Sequence, residues 1–543
     1  MIILGRIAML GLMQRRELLI SSIIVHAARH HGAAEVVSRR ENGALARTTY
    51  AQIEARARKL IGALRELGVK FGDRVATLAM NSDRHLELYY AISGMGAICH
   101  TINPRLSVDD IGYILDHAED GVLFVDPGFL ALAEAAAART PSLRAIIVLG
   151  GEAEIGTCHP PDGKDFYAYE TLISQAVAAS DWPEFDENTA SGLCYTSGTT
   201  GRPKGVLYSH RSSLLHAFGV CMPDGIGLRA TDRVLPVVPM FHVNAWGLPY
   251  AAPMVGATLL MPGRQLDPVS VLRLMNEERA ELAVGVPTVW SALLAHMRAT
   301  GARFETLKRI LSGGAALPLA LVEGFAEFGV EAIQGWGMTE TSPLVTANRP
   351  KPSTVNAPAD HACKQGRVPF GSDLRVMGAE GEVEWDGKTP GEVSCRGHWI
   401  ASGYFRHQDN ILTRDGWLPT GDVGVIDSDG YLKLTDRTKD LIKSGGEWIS
   451  SIELENIAAS HPDVAEAAAI AVPDAIWGER PLVIVVPREG RAPSPAAIRQ
   501  FFEGKVAKYA VPDRVEITDA LPHGATGKLL KTELRRIFLA SKD

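Results

Sequence analysis

Tyr195-Thr196-Ser197-Gly198-Thr199-Thr200-Gly201-Arg202-Pro203-Lys204-Gly205 places three glycines and four hydroxyl residues in eleven positions, beside one arginine and one lysine. Glycines let backbone N–H groups approach and wrap a phosphate. Hydroxyls donate to phosphate oxygens or ligate Mg2+, and Lys204 supplies a mobile positive charge. The run is not the G-x-x-x-x-G-K-[ST] loop of kinases and GTPases. A generic Gly/Ser/Thr loop is usually a surface turn; the full string argues for an anion cradle.

Upstream of this run, strand and helix signals alternate. Ile53, Ala57, Leu60, Ile61, Leu64 and Leu67 recur at helical spacing over residues 49–68, and Thr49 with Gln52 resembles a capping box. Arg74–Met80 reads as a strand and His85–Ala97 as a helix. Short apolar runs follow at Val122–Asp126, Ala145–Gly150, Arg233–Pro236, Ala257–Met261 and Leu282–Val286. Such alternation predicts an α/β fold with largely parallel sheets. After about residue 365, Glu392–Arg396, Val423–Asp427 and Tyr431–Thr435 read as short strands between Gly and Asp turns, a small β-subdomain. The last hundred or so residues carry two helical patterns and a strand, Leu482–Pro487, enough for a small domain. The charged stretch from Asp436 to Asp440 predicts a boundary, with domains 1–436 and 437–543.

The chain has 543 residues, too many for one core. It is 46% hydrophobic and 22% charged, which argues against disorder, and its net charge of −8 argues against a nucleic-acid binder. Cys99, Cys158, Cys194, Cys221, Cys363 and Cys395 form no C-x-x-C pair, so reduced cytoplasmic thiols are expected rather than a zinc site or a disulfide framework. The apolar N-terminus is interrupted by Arg6, Arg15, Arg16 and Glu17, so no integral membrane contact is expected. It reads as an ordered segment that packs on a partner surface, such as another subunit.

The Tyr195–Gly205 run resembles the phosphate-binding signature of the adenylate-forming superfamily: acyl-CoA synthetases, luciferases and nonribosomal peptide adenylation domains. Further motifs follow in the family's order, and the resemblance covers nearly the whole chain. It implies a large multi-layer N-terminal adenylation domain and a small mobile α+β C-terminal domain. Gln334-Gly335-Trp336-Gly337-Met338-Thr339-Glu340-Thr341 resembles the second nucleotide segment. There Glu340 and Thr196 would hold Mg2+, Thr339 would contact the adenylate phosphate, and Trp336 would lie beside adenine and acid. Ser312-Gly313-Gly314-Ala315 resembles the segment lining those sites. Thr420-Gly421-Asp422 resembles the ribose motif, a short carboxylate accepting from two hydroxyls, with Arg437 assisting. Lys439 falls at the hinge. Lys443, Ser444, Gly445, Gly446, Glu447 and Trp448 resemble the loop that lines the CoA tunnel. Lys528, in Pro522-His523-Gly524-Ala525-Thr526-Gly527-Lys528, resembles the catalytic lysine that stabilises charge near the α-phosphate. His523-Gly524 departs from the family's usual residues and is expected to alter loop stiffness more than chemistry.

The resemblance therefore implies an ATP-dependent acid–CoA ligase. Mg2+ and CoA join ATP, and Ser197, Gly198, Thr199, Thr200, Gly201, Lys204, Gly314, Ala315, Gln334 and Gly335 complete the nucleotide site. His242, Val243 and Trp246, with Gly313, Gly337 and Met338, would line the acid pocket. The Pro239–Trp246 run holds no carboxylate for an α-amino group and has no nearby cation for a second carboxylate. Phe241-His242-Val243-Asn244-Ala245-Trp246 with the 443–455 run resembles bacterial medium- and long-chain fatty acid–CoA ligases, and His100–Leu106 resembles methylthiopropionate–CoA ligases. Short-chain and aryl acids, and a carrier protein in place of CoA, stay open. A luciferase-like oxygenase and a nucleotide-sensing module are the rival classes. The resemblance also implies a homodimer.

Overall fold

The computed structural model describes residues 11–155, 163–196, 202–445, 447–524 and 529–539. Among these, four sheets organise a large N-terminal region and a small C-terminal one. The first has seven strands in the order Asp165–Ala168, Ala145–Val148, Val122–Val125, Arg74–Leu78, Ile98–Thr101, Ala190–Thr196 and Lys204–Ser209. It is parallel except for its last hairpin. The second has eight, in the order Leu344–Ala347, Glu331–Gly337, Arg309–Ser312, Leu282–Gly285, Arg233–Pro236, Thr258–Met261, Glu35–Arg39 and Leu45–Thr49, antiparallel only at its two edges. Central strands such as Val122–Val125 and Leu282–Gly285 are buried throughout, because helices cover both faces of a parallel sheet.

Helix Tyr50–Glu66 begins at the expected capping box: the Gln52 carboxamide accepts from the Thr49 amide at 3.0 Å. Its Ile53, Ala57, Leu60, Ile61 and Leu64 are buried in a core that also takes in Val75 and Phe124 from the first sheet and Val234 and Leu259 from the second. One continuous core thus fixes the two sheets against each other. An antiparallel five-stranded sheet, from Ser372–Gly378 to Leu432–Arg437, packs on this body.

The C-terminal region departs from the sequence expectation. The alanine-rich stretch Val464–Asp474 is a strand, paired along its length with Gly478–Pro487, which begins earlier than the expected Leu482. Both faces of this hairpin are buried: Ala469, Val483 and Val485 face helices Ser451–Ala459 and Pro495–Phe501, while Ala468, Ile470, Leu482 and Ile484 face helix Lys531–Leu539. Period-two burial on two faces overrides the helical preference of alanine.

Of the N-terminal segment, residues 1–10 lie outside the described residues. Helix Ile20–His30 buries Ile20, Ile23, Ile24 and Ala27 within its own chain. The Leu18 amide donates to the Glu187 carboxylate at 2.9 Å and the Ile20 amide to His210 Nδ1 at 3.1 Å. Each buried isoleucine contributes about 1.5–3 kcal/mol to holding the helix on its own chain. Leu12 and Met13 stay exposed. No described helix is long and apolar enough to cross a membrane.

Candidate active site

Thr196 ends one strand of the first sheet, Lys204 opens the next, and the two are cross-strand partners. Ser197, Gly198, Thr199, Thr200 and Gly201 lie outside the described residues. The base of this hairpin is rigidly held. Gly205 sits where a Cβ would meet Leu193, Tyr195 and Phe405 at 3.0–3.2 Å. The Tyr195 hydroxyl lies 2.6 Å from His117 Nδ1, and its ring packs on His100, whose Nδ1 is 2.7 Å from the buried Asp120 carboxylate. Burial pushes the Asp120 carboxyl up, against the pull of His100.

Glu340 comes to this hairpin from the second sheet, on the short helical turn Thr339–Thr341 after strand Glu331–Gly337. A Cβ on Gly337 would lie 1.6 Å from the Pro343 carbonyl oxygen, so the tight return requires glycine there. The Met338 amide donates to Thr341 Oγ1 at 2.7 Å. The Thr339 carbonyl accepts from the Tyr208 hydroxyl at 2.7 Å, tying this turn to the strand that begins at Lys204. Glu340 Oε1 accepts from the Tyr404 hydroxyl at 2.7 Å, and the Tyr404 ring centroid is 5.0 Å from Lys204 Nζ. Thr196, Lys204, Thr339 and Glu340 thus converge from two sheets. Tyr404 was missed from the sequence; the only signal was an aromatic pair after Ser402-Gly403.

Beside this junction, Gln334 is buried and its Nε2 donates to the Ala315 carbonyl at 3.1 Å and the Gly335 carbonyl at 3.2 Å. Its Oε1 has no partner among the described residues, nor has the neighbouring Ser312 hydroxyl, and buried polar atoms left so are costly. Gly314 takes φ +77°, which a side chain would strain. Trp336 Nε1 donates to Asp422 Oδ2 at 3.0 Å, and Arg437 Nε lies 3.1 Å from Asp422 Oδ1. Asp422 and Arg437 are register partners in the five-stranded sheet, so strand pairing sets this ion pair.

Two of the expected acid-pocket residues, Trp246 and Gly313, also meet. Trp246 lies against Gly313, where a Cβ would be 2.9 Å from the indole and 3.1 Å from the Gly335 carbonyl oxygen. Val243, Asn244, Ala245 and Trp246 all have positive φ, 40–58°, a left-handed turn that non-glycine residues resist. Distant side chains hold it. Asn81 accepts from the Met240 amide at 2.6 Å and donates to the Pro236 and Val238 carbonyls, while the Tyr89 hydroxyl reaches the Met240 carbonyl and Asn244 Oδ1. His242 opens the turn, its amide bonded to the Pro239 carbonyl at 3.0 Å. Behind it, a small cavity is lined by Tyr208, His216, Asn244, Gly247, Tyr250 and Ser342. His216 is buried, its Nε2 accepts from the Leu344 amide, and burial lowers its pKa to about 3.

The remaining predicted residues sit in the C-terminal region. Lys443 pairs with Trp448 and Ser444 with Glu447 in a tight hairpin; Gly445 takes φ +60° and Gly446 lies outside the described residues. This hairpin bonds to Trp477, Glu479 and Arg480. Lys439 precedes it, its ammonium pKa lowered chiefly by desolvation. Lys528 lies outside the described residues. On either side of residues 525–528, His523 bridges to Leu529 and the Leu530 amide donates to the Pro522 carbonyl at 2.8 Å. His523 Nε2 is 2.6 Å from Glu466 Oε1, so the residue that departs from the family pattern is tied to strand Val464–Asp474.

Residues 24–405 match the family described as AMP-binding enzyme, and residues 453–528 match the AMP-binding enzyme C-terminal domain. The 3-methylmercaptopropionyl-CoA ligase of Ruegeria lacuscaerulensis is 49% identical over 536 residues, covering 98% of this chain and 99% of that protein. The medium-chain-fatty-acid–CoA ligase of Ectopseudomonas oleovorans is 46% identical, with 98% of each chain covered. Among solved structures, the anthranilate CoA ligase AuaEII in complex with anthranoyl-AMP is similar at a TM-score of 0.85 and 28% identity, over 96% of this chain and 98% of that one.

Proposed function

This chain belongs to the AMP-binding enzyme family, and from that premise we propose that it joins an aliphatic medium- or long-chain carboxylic acid to CoA through an acyl-adenylate. The observation that carries the reading is the junction of Thr196, Lys204 and Glu340 beside the Trp336–Asp422–Arg437 group. One cluster suits a polyphosphate, the other a ribose diol, and Gln334 Oε1 is an acceptor suited to the adenine amino group.

In the first step a carboxylate oxygen attacks the α-phosphorus of ATP and pyrophosphate leaves. Catalysis here is placement and electrostatics, with no side-chain nucleophile. Lys204 and Lys528 hold cationic charge toward the phosphates; Asp422 and Arg437 fix the ribose. Trp246 and Gly313 position the acid, with His242, Val243, Gly337 and Met338 around them. In the second step the CoA thiol attacks the acyl carbon and AMP leaves. Between the steps the domain 437–543 turns about Lys439 on the domain 1–436, exchanging Lys528 for the Lys443–Trp448 loop.

Glu340 suits Mg2+ as a hard oxygen ligand. No group of three or more acidic, histidine or cysteine residues among those described could hold a metal alone. One carboxylate joined by substrate phosphates is how Mg2+ is commonly bound, so Glu340 and Thr196 would hold it. When bound, the ion neutralises phosphate charge. The reading includes a cytoplasmic homodimer; the buried thiols Cys99, Cys194 and Cys395 fit a reducing compartment, and light scattering tests the dimer.

A second acid, 3-methylthiopropionate, is favoured by the 49% identity to the Ruegeria ligase. The test is CoA-dependent AMP release with straight-chain acids from about three to about sixteen carbons and 3-methylthiopropionate, since a methylene changes binding by about 1–3 kcal/mol. A single optimum, with adenylation lost in Lys528→Ala, supports the reading. No AMP release with any acid overturns it.

A further inference from the structure

We propose that Tyr404 is a positioning residue for adenylate formation, holding the Glu340 carboxylate and the Lys204 ammonium in one geometry. The inference rests on the ligase reading and deepens it. The Tyr404 hydroxyl donates to Glu340 Oε1 at 2.7 Å, and its ring centroid lies 5.0 Å from Lys204 Nζ. One side chain therefore touches a residue from each of the two sheets that meet at the phosphate site. The hydroxyl fixes which carboxylate oxygen is engaged and leaves the other for a cation. The ring face gives the ammonium a preferred place without neutralising it, as an ion pair would.

The backbone around Tyr404 is held as a strap across both sheets. The Ala401 amide donates to the Glu340 carbonyl at 2.8 Å, and the Ser342 hydroxyl donates to the Trp399 carbonyl at 2.8 Å. On the other side, the Phe405 amide donates to the Gly205 carbonyl at 2.8 Å, immediately after Lys204. Arg406 donates to the His117 carbonyl at 2.9 Å and pairs with Glu119 at 2.5 Å. Tyr404 thus has anchored backbone on both sides, which is what a positioning side chain needs in order to transmit its own fixed place to its neighbours. Glu340 is buried, and Tyr404 is the one hydrogen-bond donor to its carboxylate among the described residues.

The experiment compares the full-length protein with Tyr404→Phe and Tyr404→Leu. Two half-reactions are followed: acid-dependent ATP–pyrophosphate exchange across a Mg2+ titration, and thioester formation from supplied acyl-adenylate and CoA. Tyr404→Phe removes only the hydroxyl. It is expected to slow exchange about tenfold and to raise the Mg2+ concentration at half-maximal rate several-fold, with thioester formation within about twofold of the parent. Tyr404→Leu also removes the ring and is expected to slow exchange further while raising the apparent KM for ATP. A merely structural role would lower both half-reactions together and leave the Mg2+ midpoint in place; that result overturns the inference, as does unchanged exchange in Tyr404→Phe. Absence of exchange by the parent protein with every acid overturns the ligase reading itself, a different outcome from a normal parent and a normal variant.

Discussion

Gly313→Ala tests the proposed placement of the acid against Trp246 and Gly313. Gly313 is buried between Trp246 and the Gly335 backbone, and a Cβ would stand 2.9 Å from the indole and 3.1 Å from the carbonyl oxygen. Carbon–carbon contacts are comfortable at about 3.5–4.0 Å, so the ring must retreat by about 0.5–1 Å. Gly313 lacks the positive φ of its neighbour Gly314, so alanine brings no backbone strain. The cost in stability is then that of modest overpacking, about 1–3 kcal/mol. The added methyl and the displaced indole both intrude on the acid. The longest acids accepted by the parent should lose about 10–100-fold in kcat/KM relative to the shortest, at about 1–3 kcal/mol per excluded methylene. The assay is kcat/KM across a chain-length series at saturating ATP and CoA, with thermal unfolding to confirm a folded variant. A parallel loss for every acid, or an unchanged profile in a folded protein, would refute the placement of the acid against Trp246 and Gly313.

Asp422→Asn keeps the acceptor for Trp336 but removes the charge paired with Arg437. A charge-assisted hydrogen bond is worth about 1.5–3 kcal/mol, so the KM for ATP should rise about 10–100-fold with the KM for the acid little changed; initial-rate kinetics in each substrate decide it. Stability should fall on acidification through the buried histidines. The pKa of His216 is lowered by burial to about 3 from 6.5, and those of His85 and His210 to about 4. Below pH 6.5 the unfolded chain binds protons that the folded chain refuses, so stability is complete above that value and is lost as pH falls toward the folded pKa. His216→Gln should flatten the slope of unfolding free energy between about pH 6.5 and about pH 4, by an amount on the order of 3 kcal/mol or less. An unchanged slope in denaturant titrations contradicts the burial argument.

Much of the fold could be read because local signals agreed with the tertiary outcome. Thr49 and Gln52 cap the helix they were expected to cap, and Val122, Ala145, Arg233 and Leu282 fall on strands as anticipated. The segments 334–341 and 420–422, far apart in sequence and read together as parts of one proposed nucleotide site, meet through Trp336 and Asp422. Three features were not legible, each for a stated reason. Val464–Asp474 has helical composition, and only its pairing with Gly478–Pro487 makes it a strand. The left-handed turn at 243–246 contains one residue that tolerates such a conformation, Asn244, and depends on Asn81 and Tyr89 from elsewhere in the chain. Tyr404 acts through partners more than sixty residues away on one side and two hundred on the other, so no local pattern marks it. The site residues 197–201, 446 and 525–528 lie outside the described residues, and their proposed roles rest on their place in the family's motifs.

The central claim is that the acid attacks the α-phosphorus of ATP, and oxygen tracing tests it directly. With the acid labelled by 18O in both carboxylate oxygens, turnover with ATP and CoA should deliver one labelled oxygen to AMP and leave the other in the thioester carbonyl. This follows because the bridging oxygen of the mixed anhydride departs with AMP when the thiol attacks the acyl carbon. Label in inorganic phosphate, with ADP as the nucleotide product, would mean attack at the γ-phosphorus and would contradict the account.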